Sequence, residues 1–176
     1  MANLLDTAEI TSGPGYLEVD GDRLSHTQGG ITVNITPSTR NRTVDVYGES
    51  PIQVIHQGDD VRVTAPLAQW TAEVLKNVYD PGDDQTEGGS GGSFLGLGRS
   101  AGYFYTPRAV DVIPVASNLS DLKVSLWKAC PVGQVEMAHA FDTDRVLNTE
   151  FVALVDETKD DGQLMGAMYV EDPSSE

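Results

Sequence analysis

Basic side chains are scarce in this sequence. Eleven lysines and arginines stand against 27 aspartates and glutamates over 176 residues, a formal charge of −16. A protein that grips nucleic acid sets cations against phosphates, so this balance argues against ordinary nucleic-acid binding. Cysteine occurs once, at Cys130, which excludes an internal disulfide. His26, His56 and His139 are far apart, with no pair at helical ligand spacing, so no zinc site is expected. No apolar run approaches the ~18 residues of a membrane-spanning helix. The opening Met1–Ile10 stretch has neither a basic nor an apolar signal region, so no secretory signal is expected.

What is present fits one compact domain, with polar loops and enough length to bury a core without a staple. Short β-like runs occupy 16–20, 30–36, 42–47, 51–56 and 60–65. Alternation is clearest in Ile31-Thr32-Val33-Asn34-Ile35 and Val61-Arg62-Val63-Thr64-Ala65, the mark of half-buried strands. Asp20-Gly21-Asp22, Gly29-Gly30, Gly48 and Gly58-Asp59-Asp60 supply turn chemistry between them. Leu67, Trp70, Val74, Leu75 and Val78 share one helical face, which predicts a helix over 66–79 with Pro66 in its first turn. Strands resume at 103–113, 121–129, 134–141, 148–155 and 163–170. The expected fold is mainly β, a two-sheet β-sandwich or partial barrel with one flanking α-helix. Residues 1–15 read as an N-terminal arm, 16–170 as the domain and 171–176 as a flexible tail.

Residues 80–102 form a long loop, acidic at first (Asp83, Asp84, Glu87), then Gly-rich, then apolar at Phe94, Leu95 and Leu97. A solvated linker gains nothing from such residues, whereas a loop that orders on a neighbouring subunit does. Gly88-Gly89-Ser90-Gly91-Gly92 matches a nucleophile elbow by letter but lacks the strand before it and the helix after it. Gly96-Leu97-Gly98 fails as a dinucleotide turn for the same reason. The acidic pairs Asp20/Asp22, Asp59/Asp60, Asp142/Asp144 and Asp160/Asp161 do not complete a calcium loop. No enzyme, metal or cofactor is expected.

Val44-Asp45-Val46-Tyr47-Gly48-Glu49-Ser50-Pro51-Ile52-Gln53-Val54-Ile55-His56-Gln57-Gly58, running on into Val61–Leu75, resembles the major tail tube proteins of long-tailed (siphovirus-like) bacterial or archaeal viruses. The features that carry this are a strand, a Gly-x-x-Pro turn, an alternating strand and Pro66-Leu67-Ala68 before a short helix. Asn148, Glu150, Phe151–Asp156 and Gly162 before Leu164 are similar to the closing strands of that family. The resemblance covers roughly half the chain. It implies a structural virion protein, made in the host cytoplasm, that self-assembles into hexameric rings. The rings would stack into a tail tube conducting the viral genome, with other tail proteins as further partners and no membrane. Tail terminator and baseplate ring proteins share the architecture and stay open as relatives.

Under that reading, Leu4, Leu5 and Ile10 of the arm and Phe94, Leu95 and Leu97 of the loop are the candidate contacts between subunits and rings. Glu18, Asp20, Asp45, Asp111 and Glu136 are the candidate lumen acids, which would repel phosphates so that DNA slides without specific binding. A second account of the acidity is life in molar salt. There the screening length falls to about 3 Å and high charge serves solubility. The alternative from another class is a β-sandwich surface or carbohydrate-binding module. Its candidate aromatics are Tyr103, Phe104 and Tyr105, of which alternation puts Tyr103 and Tyr105 on one face with Phe104 opposite. Replacing Phe94, Leu95 and Leu97 together by Ser is predicted to spare the fold and impair polymerisation. Amide exchange over 88–100 should slow on assembly, and equally fast exchange in both states would reduce the loop to a linker.

Overall fold

A computed structural model describes residues 14–24, 27–69, 71–79, 98, 100–115, 122–133 and 146–169. The strand-forming segments give β1 (Gly15–Val19), β2 (Asp22–Arg23), β3 (Thr32–Thr43), β4 (Pro51–Leu67), β5 (Arg108–Pro114), β6 (Val124–Pro131), β7 (Leu147–Ala153) and β8 (Gly166–Met168). One helix, α1 (Ala72–Tyr79), and a 3-10 turn at Asp45–Tyr47 accompany them among the described residues. The mainly β architecture with one helix is therefore observed. Every strand pairing is antiparallel, and hydrogen bonds join all eight strands into one sheet of order β2-β1-β5-β6-β7-β4-β3, with β8 also on β6. Among the described residues no helix is long and apolar enough to cross a membrane.

Alternation sets which face each strand buries. Leu17 and Val19 point inward from β1, Val63, Ala65 and Leu67 from β4, and Leu147, Thr149 and Phe151 from β7, while Glu18, Arg62 and Glu150 between them point outward. Thr149 is buried but satisfied, its hydroxyl donating to the Ala65 carbonyl at 2.7 Å. Val74 and Val78 of α1 close over the same core. Arg108 at the start of β5 donates to the Asn77 side chain, tying the helix to the sheet.

The helix is shorter than its apolar spacing predicts. Pro66 and Leu67 belong to β4, where they pair with Asn148 and Leu147 of β7. Pro66 is tolerated because β3 has ended by then, its last partner being Thr64, so no ladder bond needs its missing N–H. The helix begins after Thr71, whose hydroxyl accepts the Val74 amide at 3.2 Å as a side-chain N-cap. Leu67 thus left the helical face for the strand, and Trp70 lies outside the described residues.

The breaks expected within 30–47 and 51–65 also differ. β3 and β4 each run straight through them, and the 42–47 segment ends in the 3-10 turn. A bulge explains the continuity. Ser38 pairs with Gly58 and Thr39 with His56, so the ladder absorbs Gln57 as an extra residue instead of turning. Gly58 takes φ 143° at that point, a conformation that other residues avoid. The strand expected over 103–113 is confined to β5, and the one over 134–141 lies outside the described residues.

Phe151 is fully buried where β7 meets both β4 and β6. Phe151→Ala should lower unfolding free energy by about 3–5 kcal/mol, measurable as a drop in the denaturant midpoint.

Candidate functional site

β4 has 17 residues, but β7 pairs only with Arg62–Leu67. Among the described residues the rest of β4 is paired by β3 alone, so Thr36–Thr43 and Pro51–Asp60 form a two-stranded ribbon that extends beyond the pairing with β7. At about 3.4 Å per residue, the 12 residues of β3 span about 40 Å. The ribbon ends in an apolar turn, with Val46 87% and Tyr47 65% exposed, and Ile52 and Val54 are exposed just behind it. Scattered exposed apolar residues are ordinary, but two in the turn and two on the adjoining start of β4 gather at one end of the ribbon. β3 is the edge of the sheet among the described strands, and it carries Pro37, Arg40 and Arg42, residues that discourage a further strand from pairing there.

At the base of the ribbon lies a second feature. Antiparallel pairing places β7 against Ala129–Pro131 and β8 against Val124–Leu126, along the same edge of β6. The two strands are one line interrupted by an excursion over residues 154–165. β8 approaches β6 so closely that a Cβ on Gly166 would lie 2.3 Å from the Ser125 carbonyl oxygen, which only glycine allows. Because β4 peels away past Arg62, it does not follow this line onto β8. Between them opens a cleft of about 550 Å³. Val124 and Leu126 form its floor, Val61 and Met165 line its walls, and Asp59 and Asp161 stand at its rim.

The excursion that walls the cleft is held by Asp156. Its carboxylate accepts from the Lys128 ammonium at 2.9 Å and from the Thr158 hydroxyl at 2.8 Å and amide at 3.2 Å. These bonds hold Asp156 below the usual carboxylate range, from 3.8 to about 2. Beside it Lys159 lies over the Trp127 ring, 4.5 Å from its centroid, and the indole N–H donates to the Gln163 carbonyl at 2.8 Å.

The acids singled out in the sequence fall in different places. Glu18 and Asp111 are register partners on adjacent strands, next to the Asp20 turn. Asp111 pairs with Lys123 at 2.9 Å, and that bond raises the lysine above its ordinary value. Asp20, at φ 54°, accepts the Ala109 amide at 3.0 Å and stands 4.0 Å from the Arg108 guanidinium. Its role in the turn was not visible in the sequence as more than a turn letter. Asp45 lies apart, exposed on the ribbon turn. Glu136, Leu4, Leu5, Ile10, Phe94, Leu95 and Leu97 lie outside the described residues. The ribbon and cleft were missed as a pair, although Val46 and Tyr47 belong to the segment that carries the family resemblance.

Tyr103 and Tyr105 meet edge to face with ring centroids 5.9 Å apart, and Phe104 is 91% exposed. None of the three lines the cleft. They lie in the irregular segment between the 101–102 turn and β5.

A carboxylate depressed in the folded state contributes stability that is complete above its ordinary value and is lost as pH falls through its folded value. Asp156 should therefore destabilise the protein progressively between pH 3.8 and about 2. Asp156→Asn should flatten that acid limb in denaturation curves taken at graded pH, while lowering stability at neutral pH. No family model and no curated protein matches this chain.

Proposed function

We propose that this protein is a structural, self-assembling subunit of a viral tail tube, without catalytic activity, whose copies form stacked rings around a genome-conducting lumen. The observation that supports it most is the β3–β4 ribbon. It extends an apolar turn away from the core, a surface that a solitary subunit gains nothing by exposing and that a neighbouring copy would cover. The segment Val44–Gly58 that builds this ribbon is the one that resembles tail tube proteins.

The charge fits a conduit. In a ring of acidic subunits, carboxylates on the inner surface repel phosphates and keep DNA from sticking. Glu18 and Asp111 share the outward face of β1 and β5, and Lys123 balances only one of them in direct contact. The same repulsion opposes assembly, so rings should form more readily as salt screens it.

Negative-stain microscopy of the purified protein, from about 0.1 M to molar salt, provides the test. Tubes of stacked rings are expected, with length increasing with salt. A protein that stays monomeric across that range would overturn the reading, and single rings would favour a terminator or baseplate role.

A further inference from the structure

We propose that the cleft between β4 and β8 is the seat for the β3–β4 turn of a second copy, a head-to-tail contact that rests on the assembly reading and names both of its faces. The turn offers Val46 and Tyr47, both exposed, as apolar anchors. The cleft offers an apolar floor and about 550 Å³, within the range of about 300–1,000 Å³ that holds small ligands and easily admits an aromatic side chain. Tyrosine is also among the residues that most often dominate the energetics of an interface.

The turn cannot reach the cleft of its own chain. His56–Asp59, which line the cleft, lie on the ribbon itself between the turn and the sheet. A paired ladder from Thr39 to Thr43 separates them from the turn, about 14 Å at strand rise. A β3–β4 turn seated there therefore comes from another molecule.

Charge identifies that molecule as a second copy. A chain of −16 repels itself unless local cations meet local anions. Arg40 and Arg42 stand on the ribbon just behind the turn and form no ion pair among the described residues. Asp59 and Asp161 stand at the cleft rim, with Asp160 next to Asp161. Seating the apolar turn brings the arginines toward these carboxylates. The turn's own acids, Asp45 and Glu49, would be costly to bury unpaired, so Val46 and Tyr47 enter the cleft and the acids remain at its mouth. The two faces are different patches of one chain, so the contact is heterologous and propagates into a closed ring or an open stack.

Cross-linking tests this directly. Tyr47→Cys and Met168→Cys proteins, mixed under assembling conditions and mildly oxidised, should give a disulfide-linked dimer that neither gives alone; the native Cys130 is buried. Arg42→Glu should raise the protein concentration needed for assembly by at least roughly tenfold, and Asp161→Arg in the same chain should restore it. If assemblies form without the mixed cross-link and Arg42→Glu assembles normally, the seat is elsewhere and the tube reading stands. If the unsubstituted protein never assembles, both fall.

Discussion

A long strand with too short a neighbour governs this molecule. Backbone N–H and C=O groups must be paired or solvated, and β4 presents 17 residues of them. β7 satisfies one edge only from Arg62 to Leu67. Beyond that point the chain can keep its other edge paired only by running on with β3, and the ribbon is the result. The cleft is the counterpart of the same mismatch. Where β4 departs, the line of β7 and β8 continues along β6 with its far edge uncovered by any described strand. Projection and recess thus have one cause.

The electrostatics divide along similar lines. The His56–Asp59 and Arg62–Asp60 pairs are exposed on both sides, and pairs of that kind contribute little to stability. Asp60 and Glu150 bracket the Arg62 guanidinium where β4 leaves β7, at 2.9 and 2.7 Å. That clamp marks the point where the ribbon starts, so its value is in placing the departure rather than in holding the core. Asp156 differs because it is nearly buried and fully engaged, and it shapes the wall of the cleft.

The strand content was legible in the sequence because alternation survives wherever one face is buried, as in Val61–Ala65. The strand lengths were not legible. Gly58-Asp59-Asp60 reads locally as a turn, and only pairing with Pro37 and Ser38 shows that the ladder passes through it. The helix start failed similarly. Pro66-Leu67-Ala68 suits a first helical turn, but Leu67 is better buried between strands than on a short helix, and tertiary packing overrides that local signal. The cleft had no local signature at all, because its walls come from residues about 100 positions apart in the chain. The apolar letters Val46 and Tyr47 were present in the sequence, but their exposure depends on where the ribbon points.

The interrupted line of β7 and β8 has a consequence for how freely the chain can vary. The excursion over 154–165 leaves β6 at Lys128, whose carbonyl accepts the Leu154 amide, and returns at Trp127, whose amide donates to the Met165 carbonyl. Its two ends are anchored to consecutive residues of one strand. Closure entropy grows slowly with loop length, about 0.6 kcal/mol per doubling, so lengthening this segment at its exposed outer residues costs little. An insertion at the exposed residues of this segment should leave the strands on either side paired, because both of its ends stay bonded to β6, while altering the wall of the cleft.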